Sequence, residues 1–227
     1  MKAALVVLLT TCVPASALLY NVDQPVPVSL AHGEYYVGMR LWGEGGAVAR
    51  VAVGLFDRIT VGASYGGDRF LGARTPILNP RPEFQARAAI LMEQGYLPDL
   101  AVGVETQGGN LYDTLDGRYE VLPTGGFVGF GKTVDVSRTY LQLGVNYWEG
   151  VSGFAVVNQL LPGGFEVVLE YDAALNDEER ENLGYLNFGI GWTFGDRARF
   201  CIGVRDLLGP EDNQFNRVVD LSFHDLF

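Results

Sequence analysis

Apolar and polar residues alternate, one by one, along most of this chain. Between Gly33 and Trp42, Tyr35, Val37, Met39 and Leu41 fall on one side, and Glu34, Tyr36, Gly38 and Arg40 on the other. Successive side chains of an extended strand point to opposite faces, so such a segment has one oily wall and one wet wall. The same period runs through Leu186, Phe188, Ile190, Trp192 and Phe194, opposite Tyr185, Asn187, Gly189, Gly191 and Thr193. It recurs in Phe165, Val167, Leu169 and Tyr171, opposite Glu166, Val168, Glu170 and Asp172.

This rhythm predicts about twelve strands, near 33–43, 46–55, 58–66, 83–93, 99–107, 124–132, 137–148, 152–160, 164–173, 184–194, 197–206 and 216–227. The connections alternate in length. Tight ones fall at Phe56-Asp57, Gly95 to Pro98, Thr133 to Val136, Leu161 to Gly163 and Gly195-Asp196. Longer ones fall at 67–82, 108–123, 174–183 and 207–215, with short exceptions at Glu44-Gly45 and Glu149 to Val151. An even strand number with short turns at one end and longer loops at the other is the pattern of outer-membrane barrels whose termini face the periplasm. The expected fold is therefore all-β: a closed antiparallel transmembrane β-barrel, one domain over 18–227, with long outer loops and short periplasmic turns.

Period alone leaves open which wall is oily, because a soluble barrel shows the same alternation with the apolar face inward. The content of the other face decides. It combines glycines with long charged side chains, Arg40, Arg50, Arg58, Arg87, Glu105, Arg138, Glu166, Glu170, Arg199 and Arg205, as a closed lumen with paired charges would. Lysine, abundant on soluble surfaces, is confined to Lys132 after residue 17.

The start of the chain reads as a signal peptide. Lys2 gives a positive beginning, Ala3 to Leu9 is apolar, and Ala15-Ser16-Ala17 has the small-x-small form of a cleavage site, which places the mature N-terminus at Leu18. The apolar run is too short to span a bilayer as a helix. Leu9 to Cys12 loosely resembles a lipobox, but Thr11 is bulky for the position before the acylated Cys12, and ordinary cleavage is favoured. Cleavage leaves 15 basic against 27 acidic residues, a net charge of −12 that would repel nucleic acid. Cys201 is then the one cysteine, so no intramolecular disulfide forms. Thirty glycines in 227 residues agree with a turn-rich, all-β chain.

Gly54–Gly62, Pro98–Gly103 with Gly108–Asn110, Arg118–Glu120 with Gly129–Lys132, and Gly153–Asp172 resemble motifs of YjbH-type outer-membrane β-barrel proteins, a family linked to exopolysaccharide biosynthesis. The likeness covers most of the mature chain and consists mainly of turn and strand grammar. It implies a barrel and, beyond it, a role beside surface polysaccharide. The chain is short for that family, and Asp225 stands where barrel assembly signals usually carry an apolar residue. Recognition by the barrel assembly machinery is expected from the terminal Phe227.

Chemistry is sparse. His32 precedes the first strand and His224 lies in the last, at the expected periplasmic end, and no Gly-x-Ser-x-Gly or His-Glu-x-x-His motif accompanies them. Asp177, Glu178, Glu179 and Glu181 lack the spacing of a calcium loop and read as a solvated acidic loop rather than a metal site. No cofactor motif is present. Arg69, Arg74 and Arg81, in the loop from Asp68 to Pro82, are the candidates for contact with lipopolysaccharide or anionic sugar. The expected partners are outer-membrane lipid and lipopolysaccharide, the assembly machinery and surface polysaccharide. The reading is a non-enzymatic envelope barrel, accessory to surface polysaccharide, with a passive porin-like channel for small solutes as the alternative. Twelve strands do not choose between them, because about eight fill with side chains and sixteen leave a channel.

Overall fold

The computed structural model describes residues 18–177, 183–209 and 216–227. The expected signal peptide and Glu178, Glu179 and Glu181 of the expected acidic loop lie outside the described residues.

Twelve strands form the wall: β1 Glu34–Trp42, β2 Gly46–Leu55, β3 Ile59–Asp68, β4 Glu83–Leu91, β5 Asp99–Glu105, β6 Gly125–Val134, β7 Thr139–Tyr147, β8 Val151–Leu160, β9 Phe165–Asp172, β10 Tyr185–Phe194, β11 Ala198–Arg205 and β12 Asn216–Leu226. Every one coincides with a predicted segment to within two residues at each end. Sequence neighbours are neighbours in the sheet, and β12 returns to pair with β1, from Glu34 opposite Leu226 to Trp42 opposite Val218. The result is a closed antiparallel barrel with no free edge among the twelve. Closure matters in a bilayer, where an unpaired backbone N–H or C=O has no water to bond. Two elements lie in loops that the sequence rhythm left unassigned. Ile77–Leu78 adds a short strand to β3, and Gly109–Asp113 pairs with Arg118–Val121 as a hairpin between β5 and β6.

The oily wall faces outward. Val37, Met39, Val51, Leu143, Ile190 and Ile202 are all exposed, while Arg40, Arg50, Asn158, Glu170 and Asn187 on the opposite face are buried. Replacing Ile190, which is 52% exposed in mid-strand, with Arg is expected to lower stability by about 2–4 kcal/mol in a membrane-folding titration. Unchanged folding would show that this face does not meet lipid.

The segment Leu19–Leu30, which carries no alternation, is buried inside the barrel. Leu19, Val22 and Leu30 are fully buried, and Tyr20, Asn21, Gln24 and Val26 nearly so. Tyr20 bridges Pro25, the Asn21 amide donates to the Gln24 carbonyl, and the Val26 amide donates to the Leu19 carbonyl. The segment is thus a tight hairpin with its tip at Val22-Asp23. Near its base, the Leu30 amide donates to Thr60 Oγ1 and the Ser29 hydroxyl to the Arg58 carbonyl, at the tight-turn end of β3. Its tip meets Arg40 and Arg205, toward the long-loop end. Wall glycines make room for it: a Cβ on Gly54 would come within 2.7 Å of the Leu30 carbonyl carbon. At Gly189 a Cβ would lie 3.0 Å from Val22 Cγ2 and 3.3 Å from Cys201 Sγ. Gly189→Ser, mild on a bare wall, is therefore expected to cost about 1–3 kcal/mol by overpacking.

Candidate functional site

The lumen is built by the inward residues of the strands and by the hairpin they hold. Arg40 lies one strand from Asp220, at 2.9 Å, and its Nη1 reaches Asp23 Oδ1 at 2.7 Å. Its other terminal nitrogen donates to the Val22 carbonyl. Arg205 Nε meets the second oxygen of Asp23 at 2.6 Å, so one carboxylate is shared by two guanidinium groups. Arg87 Nη1 donates to the carbonyls of Leu19 and Val26, on the two arms of the hairpin, at 2.9 and 3.1 Å. Arg199 pairs with Glu166 and donates to the Asn21 carbonyl.

Glu170, fully buried, does the complementary work. Its carboxylate accepts the backbone amides of Val22, Asp23 and Gln24, at 3.2, 3.0 and 2.9 Å, and the Asn187 side-chain amide at 2.7 Å. Three successive amides converging on one anion form an anion nest, here turned onto the wall's own carboxylate. Gln142 and Glu105 complete the seat: Gln142 takes the Asn21 side chain and donates to the Pro25 carbonyl, and Glu105 accepts the Tyr20 hydroxyl at 2.8 Å. Most inward charges therefore bond to the hairpin or to adjacent strands, and the lumen is spanned through the hairpin.

Above the tip a vestibule encloses about 690 Å³, including space open to solvent. Asp23, Arg40, Arg50 and Arg205 line it together with Glu105, Asp172 and a set of asparagines and glutamines. The loop hairpin overhangs it. Asn110 accepts from Arg205 Nη1 at 2.8 Å, and the buried Tyr119 takes the Asn79 side chain.

Two residues expected on the lumen wall are elsewhere. Arg58 is exposed in the turn before β3 and donates to the carbonyls of Ala89 and Ile90. Arg138 is exposed in the turn before β7, with φ of 54°. Both predicted strands started one or two residues early, so turn residues were counted into the alternation. Arg40, Arg50, Arg87, Glu105, Glu166, Glu170, Arg199 and Arg205 are buried on the inner face. In the long loop after β3, Arg69 is half-buried, Arg74 exposed, and Arg81 mostly exposed at 3.2 Å from Glu83. Phe227 is exposed; its amide donates to the Gly33 carbonyl and its ring lies 4.9 Å from Tyr35. Asp225 is paired with Arg197 at 2.6 Å. The two histidines are engaged separately: His32 Nδ1 accepts the Phe56 amide, and His224 Nδ1 lies 2.7 Å from Glu34. Asp177 accepts the Tyr185 hydroxyl at 2.7 Å, and among the described residues no His, Cys, Asp or Glu cluster suits a metal. The hairpin itself escaped sequence reasoning, although a run of inward arginines near a lone Asp23 was its one visible trace.

No protein-family model matches the chain, and no curated protein does. Solved structures do. A KdgM porin aligns with a TM-score of 0.52 at 6% identity over 85% of this chain and 99% of its own. The KdgM porin in complex with disordered oligogalacturonate aligns at 0.51 and 7% identity, over 84% and 98%. The COG4313 outer membrane channel from Pseudomonas putida F1 aligns at 0.50 and 14% identity, over 91% and 100%. At such identities the likeness establishes architecture: the chain has the closed barrel fold of outer-membrane porins and channels.

Proposed function

We propose that this protein is a non-enzymatic, porin-like barrel of the outer membrane, delivered there after cleavage behind Ala17, that passes small polar solutes. The observation that carries this reading is the polar vestibule above a lumen hairpin whose tip is held to the wall by polar contacts. Ordering the dozen residues of the hairpin costs about 1–2 kcal/mol each. Burying Leu19, Tyr20, Val22, Val26 and Leu30 returns about 1.5–3 kcal/mol apiece, a sum of the same order that leaves little margin. Seating thus depends on the polar clamp around Asp23 and Glu170, and a polar clamp is open to competition from ions and water.

The filled lumen also supports a second reading. In it the barrel is a plugged scaffold beside surface polysaccharide, in keeping with the resemblance to YjbH-type proteins, with Arg69, Arg74 and Arg81 touching lipopolysaccharide or sugar. Planar-bilayer recordings separate the two. Discrete openings of the purified full-length protein are expected for the channel; silence both with and without the hairpin would overturn it and leave the scaffold. Integration itself is checked by electrophoresis, where the unboiled barrel is expected to migrate differently from the boiled chain because its strands are all paired. Recovery in the soluble periplasmic fraction without that shift would rule out both readings.

A further inference from the structure

The floor of the vestibule carries a guanidinium with no hydrogen-bonded counter-ion among the described residues. Arg40 is matched by Asp220 and Asp23, and Arg205 by Asp23 and Asn110. Arg50 is only 7% exposed, stacks on the Tyr20 ring at 4.6 Å, and makes no hydrogen bond or ion pair among the described residues. Its Nε is buried without a partner. A buried, unpaired charge is costly, and the guanidinium fork fits the two oxygens of a carboxylate. Arg40 and Arg205 already hold one carboxylate between them, each on a different oxygen, in the same vestibule. Of the acids nearby, Asp172 accepts Gln24 and Ser152, whereas Glu105 accepts the Tyr20 hydroxyl through one oxygen and leaves its Oε2 buried without a partner. Their charge opposes a polyanion, while the surrounding amides suit hydroxyl groups.

We infer that Arg40, Arg50 and Arg205 form a binding site for a small hydroxylated monocarboxylate, and that Asp23 of the hairpin is its built-in occupant. This deepens the channel reading and rests on it for the solute's route. A tethered carboxylate competes at high effective concentration. The solute then binds only the fraction of molecules in which Asp23 has left the clamp, and its apparent affinity falls by that fraction.

The probe is sodium gluconate, titrated calorimetrically into the full-length purified protein, with sorbitol as the neutral control and ionic strength held by sodium chloride. Asp23→Asn is expected to bind gluconate about tenfold or more tightly than the parent, because the internal competitor has lost its charge. Adding Arg50→Gln to Asp23→Asn is expected to remove about tenfold of that affinity, and sorbitol to bind neither. Equal gluconate affinity in the parent and Asp23→Asn, no loss on Arg50→Gln, or equal binding of sorbitol would overturn the site. Unboiled migration shows which variants are folded. Should Asp23→Asn fail that check, Arg50→Gln alone decides by weakening, or not weakening, gluconate binding to the parent, since Arg50 makes no ion pair among the described residues. Currents recorded from the same preparations keep the two readings apart. Gluconate binding without current in any variant retains the site and rejects the channel; current indifferent to gluconate and to Arg50→Gln does the reverse.

Discussion

Deleting residues 19–30, with the signal peptide and Leu18 joined to Ala31, is expected to turn an intermittently conducting barrel into a steadily open one. The hairpin occupies the lumen from Thr60 at the tight-turn end to Arg40 and Arg205 toward the loops, so its loss clears the length of the bore. Arg87, Arg199 and Glu170 lose the backbone groups they hold, but water replaces them in the opened lumen. Net hydrogen-bond exchange with water is small, so barrel stability should fall by only about 1–3 kcal/mol. Single-channel recording together with unboiled electrophoresis checks both halves. A deletion variant that migrates as a folded barrel yet carries no current would show that the wall's own side chains close the lumen. One that no longer folds would show that the hairpin is core rather than stopper.

The barrel was legible because its physics is local. Each strand has to show lipid an apolar face, and a period of two is visible in any short window, as Leu186 to Phe194 illustrates. Arg58 and Arg138 blurred two strand starts because each is a turn residue that continued the pattern. The hairpin obeys no such period. Its apolar residues Leu19, Val22, Val26 and Leu30 are spaced three, four and four apart, a helical rather than a strand period, and Pro25 and Pro27 interrupt either element. What fixes it is non-local: Glu170 is 146 to 148 residues from the amides it accepts, and Arg205 is 182 from Asp23. The inward glycines carried the same information in disguise. Gly54 and Gly189 read as small lumen residues, whereas each is the hollow into which the hairpin fits.

Geometry also gives distinct tasks to two glutamates that look alike in the sequence. Glu166 and Glu170 lie on one face of β9, yet the first pairs with Arg199 of the wall and the second binds the hairpin tip. Glu166→Gln leaves a buried guanidinium without its counter-charge and is expected to cost about 3–5 kcal/mol of barrel stability. Asn21, Val22 and Gln24 should stay in place, because the Glu170 contacts survive. Glu170→Gln leaves no guanidinium unpaired, but it replaces an anion by a neutral amide, whose oxygen can take the three backbone N–H donors on Oε2 only by turning its NH2 toward the Asn187 side-chain amide that Oε1 accepts. Charged hydrogen bonds contribute about 1.5–3 kcal/mol each, so losing their charge is expected to unseat the tip while costing the wall itself little. Val22→Cys, in a Cys201→Ala background, reports the seat, since Val22 is fully buried in the parent. A water-soluble maleimide should label it rapidly with Glu170→Gln and slowly with Glu166→Gln, and urea titrations in lipid vesicles should rank the stability losses in the opposite order. Equal labelling in the two variants would mean that the carboxylate of Glu170 does not hold the hairpin, and that its three amides are satisfied as well by a neutral acceptor.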